Sequence, residues 1–155
     1  MMAAFYVLNT DASIGPSRKA AIGVVLRQKL RQGKPLTVVA YISKRIPKCD
    51  IATAEYLALI EGLRLAVPYE PTTLRVFTDS NFIPDQINAL DPKFKSAAMR
   101  PLYKRAMRLI NSIGEERVKV MWVPRDMNTE ADQRAADAFF VRRPGGDVWV
   151  RPTST

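Results

Sequence analysis

Four acidic residues stand where acids are least expected. Asp11 and Asp79 each follow an apolar, β-prone run, "AFYVLNT" and "TLRVFT". Glu55 falls within "TAEYLALIEGLRLAV", where offsets of three, four and seven put it on one helical face with Ala58, Leu59 and Gly62. By the same offsets Asp132 shares a face with Ala135, Ala136 and Phe139. Small apolar neighbours mean close packing, so the spacing predicts that Glu55 points toward a sheet. Ionised carboxylates do not stay buried unpaired, because desolvation costs several kcal/mol each. If several converge, their repulsion raises pKa values unless cations neutralise them. A divalent ion supplies that charge. Mg²⁺ suits such a site because it takes oxygen ligands and keeps waters that a phosphate substrate displaces.

Each acid also has a plainer role open to it. Asp132 and Glu130 fall in the first turn of a helix, where the dipole favours acids. Asp79 suits the cap of a helix beginning near Asn81. Asp11 suits the turn with Gly15 and Pro16. Four such acids, from two strand ends and two helix faces, favour one shared site over four separate accidents.

Composition narrows the chemistry further. The chain has no histidine, which excludes a Ser-His-Asp triad and the usual histidine zinc sites. Catalysis must then rest on carboxylates, lysines, hydroxyls or bound metal. Cys49 is the single cysteine, so no internal disulfide forms, and a reducing, cytoplasmic setting is expected. Twenty-four Lys and Arg against 15 Asp and Glu give a formal charge of +9, which points to a polyanionic partner, nucleic acid first. The N-terminus has no basic region followed by a long apolar run, and no segment approaches the roughly 20 apolar residues that span a bilayer. A membrane partner is not expected, and a monomer is.

The elements that must position the acids follow from periodicity. Residues 4–10, 20–28 and 36–46 read as three strands joined by the turns "SIGPS" and "RQGKP", an antiparallel meander. From 53 to 67 the period becomes helical, and "PYEPT" ends it. A fourth strand, "TLRVFT", precedes a short helix over 81–89. A longer helix reaches about 113, with Met99, Leu102, Tyr103, Ala106, Leu109, Ile110 and Ile113 on one face. Residues 117–124 read as a fifth strand with Trp122 in the core, and 129–140 as a last helix. The expected architecture is α/β: a five-stranded mixed sheet, three antiparallel strands and then parallel ones, flanked by helices. One domain covers 1–141. The basic tail 142–155, rich in Pro and Gly, is expected to be extended or disordered, with Trp149 packing back on the domain or stacking on a base.

These residues resemble the ribonuclease H type 1 family. The match rests on "LNTDAS" (Asp11), "TAEYLALIEGL" (Glu55), "VFTDSNF" (Asp79) and "WVPRDMNTEADQRAADA" (Asp132), in order and in register over about 4–140. The resemblance implies a five-stranded mixed sheet and hydrolysis of the RNA strand of RNA–DNA hybrids. It implies that the four acids bind two Mg²⁺ or Mn²⁺ ions, Asp11 and Asp79 lying nearest both. The backbone at Ala12 and Ser13 would meet the ribose 2′-OH, the group that separates RNA from DNA. Asn81 would touch the minor groove, and Thr53 stands where some members carry an Asn. Arg125 occupies the loop where certain bacterial members have a helpful His; it can hold a phosphate but not shuttle protons. The loop "SIGPSRKAA" has fewer glycines than many members and two added basics. The family's basic insertion is absent; Arg100, Lys104 and Arg108, spaced by four beside Lys93 and Lys95, offer a cationic stripe in its place. Two other readings remain: a non-catalytic hybrid-binding module, and the nuclease domain of a reverse-transcribing element. A short chain starting with Met fits a stand-alone protein better than the latter.

Overall fold

The computed structural model describes residues 4–30, 33–140 and 147–153. The meander forms as expected: β1 (Phe5–Ile14), β2 (Ala20–Lys29) and β3 (Thr37–Ile46) pair antiparallel in sequence. The turn from β1 to β2 bends tightly through Ser17 and Arg18, both left-handed at φ 59°. Helix α1 (Ile51–Ala66) starts where the Asp50 carboxylate accepts the Thr53 N–H at 2.7 Å, an N-cap. Strand β4 (Thr73–Thr78) then enters parallel to β1, and β5 (Val118–Trp122) parallel to β4. Helices α2 (Ile83–Asn88) and α3 (Met99–Ile113) lie between those two strands in sequence. Helix α4 (Thr129–Asp137) follows β5. A sixth strand, β6 (Val148–Val150), pairs antiparallel with β3, so the sheet order is β5-β4-β1-β2-β3-β6. The sheet therefore has six strands, and part of the expected tail is sheet edge. Residues 142–146 and 154–155 of that tail lie outside the described residues.

Side-chain parity sorts the two faces. Leu8, Ile22, Val24, Leu26, Leu74 and Val76 are fully buried in the main core with α1 and α3. Gly62 of α1 sits so close to β1 that a Cβ there would lie 3.0 Å from Leu8 and Thr10 side chains. On the opposite face α4 lies against β2 through a stripe of alanines, Ala131, Ala135 and Ala138, all buried. That stripe, not the face shared by Asp132, Ala136 and Phe139, is the one in contact with the sheet. Trp122 also departs from expectation. It ends β5, the last strand on that edge of the sheet, and is 54% exposed. Among the described residues no helix is long and apolar enough to cross a membrane.

Candidate active site

Strand β4 stops at Thr78, whose partner on β1 is Thr10. The next residue on each strand is an acid: Asp79 just past the end of β4, and Asp11 beside it. Asp11 does not end its strand, contrary to the sequence expectation, because β2 goes on supplying partners as far as the Ile14–Ala20 pair. It lies where β1 loses its β4 neighbour, so its carboxylate is open to groups from both faces of the sheet. Asp79 does not cap α2 either: the cap position is Phe82, with no side-chain bond.

Three carboxylates meet at that opening. Asp11, Glu55 and Asp79 each offer an oxygen within 4.8 Å of the others. Asp11 is 3% exposed and Glu55 7%. Glu55 reaches the opening from α1, on the face where Ala58, Leu59 and Gly62 are buried against the sheet. The Ala12 N–H donates to Asp11 Oδ1 at 2.9 Å and orients that carboxylate. Glu55 Oε2 is buried without a hydrogen-bond partner. Asp132, half-buried in the first turn of α4, completes a cleft of about 450 Å³ with the three acids, Ala12, Ser13, Ile14, Ile51 and Arg125. The Arg125 guanidinium, 81% exposed, stands 3.9 Å from Asp132 Oδ1. Of the other expected substrate contacts, Thr53 is used in starting α1. Asn81 lines a neighbouring groove with Phe82, Gln86 and Phe94. Arg100 lies over the Phe94 ring at 5.0 Å, and Lys104 is exposed on α3. None of these four lines the cleft.

Sequence reasoning gave no role to two asparagines. Asn128 is 1% exposed, and its Nδ2 donates to the Thr10 carbonyl at 2.9 Å. Its Oδ1 accepts from Asn9 Nδ2 at 3.0 Å, and its carbonyl accepts the Asp132 N–H at 3.1 Å. It thereby ties the backbone beside Asp11 to the helix turn that carries Asp132. Glu130, in the same turn, pairs with Arg27 of β2. The available signal was a buriable amide just before "TEAD".

The electrostatics of the cleft are those of crowded, dry acids. Burial first, then the charges of Glu55 and Asp79, push the Asp11 carboxyl up to about 9. Burial and Asp79 push Glu55 up to about 8. An orphaned carboxylate oxygen beside two crowded acids is the environment that a divalent cation with oxygen ligands fits. A pH dependence follows for the metal-free protein. Folded-state pKa values raised above the ordinary carboxylate range mean that the unfolded chain releases these protons first. The stability these two groups contribute is whole below about pH 4 and is lost as pH rises through about 8 to 9. Calorimetry in chelator is expected to show melting fall by at least about 5 °C across that window, equivalent to about 2 kcal/mol. Saturating Mg²⁺ at pH 8 is expected to restore it, since an ion at 100-fold excess over its Kd adds about 2.7 kcal/mol. A flat metal-free profile would mean the acids do not converge.

Likeness to known proteins agrees with this arrangement. Residues 9–138 match the family described as reverse transcriptase-like. The bifunctional protein Rv2228c of Mycobacterium tuberculosis is 35% identical over 103 residues, 66% of this chain and 28% of that protein, so this chain spans under a third of its length. The solved N-terminal RNase H domain of Rv2228c is 30% identical, with a TM-score of 0.74 over 86% of this chain and 97% of that one. RNase H1 of the archaeon Halobacterium salinarum shares the fold, with a TM-score of 0.75 at 24% identity over 87% of this chain and 97% of that one. So does LC11-RNase H1, solved with an RNA/DNA hybrid, at 0.69 and 22% over 85% and 94%. The chain belongs to the reverse transcriptase-like family, and its 30% identity with the RNase H domain of Rv2228c places it among RNase H domains.

Proposed function

We propose that this protein is a metal-dependent endoribonuclease that hydrolyses the RNA strand of RNA–DNA hybrids. The observation that carries the reading is the meeting of Asp11, Glu55 and Asp79 at the open end of β4, with Asp132 on the same cleft. The names of the relatives support it: one solved domain is an RNase H, and another neighbour was solved with a hybrid. In this reading the four acids hold two Mg²⁺ or Mn²⁺ ions. When bound, such ions neutralise charge on the phosphate, activate the attacking water and stabilise the leaving 3′ oxygen.

The chain's own groups do the rest. The Ala12 N–H fixes the Asp11 carboxylate, while Ala12 and Ser13 line the cleft where a ribose 2′-OH distinguishes RNA from DNA. Glu55, desolvated on α1, is held rigidly at the opening by the close seat of Gly62. Arg125 is placed at the mouth of the cleft to hold a phosphate. Arg100, Lys104 and Arg108 recur every fourth residue along α3 and steer the polyanion from outside the cleft.

Cleavage of a hybrid, double-stranded RNA, double-stranded DNA and a duplex with a single ribonucleotide, each with Mg²⁺ and with Mn²⁺, tests the reading. RNA-strand cutting confined to the hybrid is expected. Hybrid bound without cutting in either metal would overturn it in favour of a binding module. Run across a salt series, the same assay reads the α3 stripe. Arg100→Ala with Lys104→Ala is expected to reduce the salt slope of hybrid affinity by about 2 and leave the maximal rate intact. An unchanged slope would make the stripe a merely solvated face. The family's description also keeps in view the nuclease domain of a reverse-transcribing element, which performs the same chemistry. The mass of the protein isolated from its own cells separates the two.

A further inference from the structure

Strand β6 does more than cover a sheet edge. Beyond its pairing with Ala40–Ile42, the Ser43 N–H donates to the Asp147 carbonyl at 2.9 Å. The Arg151 N–H donates to the Val39 carbonyl at 2.8 Å, and Arg151 Nε to the Val38 carbonyl at 2.9 Å. Trp149 lies opposite Tyr41, and the two rings stack with centroids 5.3 Å apart and planes 20° apart. The same Tyr41 ring carries the Arg134 guanidinium, 3.6 Å from its centroid. Arg134 is on α4, two residues past Asp132.

Tyr41 belongs to a row. Tyr41, Ser43 and Arg45 alternate along β3 and therefore share the face toward α4. Ser43 Oγ donates to the Arg134 carbonyl at 2.6 Å. Arg45 donates to the Ala138 and Phe139 carbonyls at 2.8 and 2.6 Å, satisfying the helix C-terminus. These grips matter because the apolar seat of α4 is a row of alanines, which bury little area and present no large side chain to fix how far the helix slides. The polar and aromatic contacts from β3 set that register together with Asn128 at the helix start. Of the four acids, Asp132 alone depends on it, since the other three ride on β1, β4 and α1.

We propose that β6 is a clamp for the metal site. By stacking Trp149 on Tyr41 it fixes Arg134, and through α4 it sets the Asp132 carboxylate against Asp11, Glu55 and Asp79. Tyr41, Arg134 and Trp149 are thus positioning residues that touch neither ion nor substrate. The clamp rests on the proposed function only in taking the four acids as the ligands of a divalent ion.

The test is Mn²⁺ binding by calorimetry to the full chain without hybrid, at a temperature where every variant is fully folded. Trp149→Ala is expected to weaken Mn²⁺ binding about tenfold, the low end for loss of an outer-shell support. The Mn²⁺ concentration for half-maximal cleavage should rise by the same factor, while KM for hybrid stays within about twofold. Trp149→Phe, which keeps a stacking ring, is expected to recover most of the affinity. Should Trp149→Ala not fold, Trp149→Leu gives the same comparison. A variant that melts lower yet keeps wild-type Mn²⁺ affinity and rate would overturn the clamp and leave β6 as edge cover. A wild-type protein that binds Mn²⁺ but cuts no hybrid overturns the nuclease reading, while the Mn²⁺ difference still decides the clamp. Wild-type protein that takes up no Mn²⁺ overturns both.

Discussion

Asp79→Asn is expected to slow hybrid cleavage at least about 10³-fold while raising the melting temperature of the metal-free protein. Asparagine keeps the shape of the side chain and one oxygen but removes the charge. Losing a ligand charge forfeits several kcal/mol of transition-state stabilisation, and each 1.36 kcal/mol is tenfold in rate. The stability effect has the opposite sign for a reason that is local to the cleft. The Asp79 charge is one cause of the raised pKa of both Asp11 and Glu55, so its removal relieves repulsion on two buried groups at once. A gain of a few degrees in chelator at about pH 9 is expected, shrinking as pH falls below about 8, where Asp11 and Glu55 become protonated. A generic folding defect lowers both quantities, so the paired signs identify the cluster. Cleavage within tenfold of wild type would remove Asp79 from the site. Unchanged or lower melting in chelator would argue that the acids are not electrostatically joined.

How much of this was legible in the sequence depends on whether a feature is local. The meander and "TLRVFT" were readable because alternation and turn residues operate over a few positions, and the observed bounds lie within one residue of the expected ones except at the end of β1, which runs four residues further. The grouping of four acids was readable because an acid on a small apolar face is costly wherever it occurs. What failed was decided by partners distant in sequence. Asp11 looked like a strand end, yet β1 runs on because β2 pairs with it to Ile14. Three residues, "VWV", carry too little pattern to announce a strand, and only the unpaired edge of β3 makes them one. Trp122 was expected in the core because it alternates within the fifth strand; that β5 is an edge strand is not written nearby.

The site was legible as a set of residue types and illegible as a geometry. Helical offsets placed Asp132 with Ala135, Ala136 and Phe139, but the helix is seated about one residue round, on Ala131, Ala135 and Ala138. Both faces are small and apolar, so offsets alone do not choose between them. The choice comes from Gly23 on β2, whose missing side chain makes room for the helix backbone, and from Asn128 at the helix start. Gly23 has no side chain to draw attention, and the Asn128 amide signals burial without saying which face of the helix meets the sheet.

Gly23→Ala is therefore the substitution expected to do the most damage without touching a charged group. Gly23 pairs with Asp11 across β1 and β2, and its backbone is not left-handed, so space rather than flexibility is what glycine provides. A Cβ at this position would lie 2.0 Å from the Ala131 carbonyl oxygen and 2.5 Å from the Ala135 nitrogen. Both are backbone atoms of α4, and no side-chain rotation relieves the overlap. The helix must lift by about 1 Å or more to regain van der Waals distance. Overpacking of this kind costs typically 1–3 kcal/mol, and contact with rigid backbone places it near about 3 kcal/mol, or a fall of about 6–12 °C in melting temperature. Because α4 carries Asp132, the same lift misplaces one arm of the cleft, and a 1 Å error in a catalytic arrangement costs about 10²-fold in rate. Gly15→Ala supplies the contrast: its Cβ would meet the far edge of the Phe139 ring at 2.9 Å, which can swing aside, so about 1 kcal/mol or less is expected. Melting curves and single-turnover cleavage of both variants check the argument. A Gly23→Ala protein that melts within about 2 °C of wild type and cuts at its rate would mean that α4 does not rest on β2 as described, and the seat of Asp132 would have to be sought elsewhere.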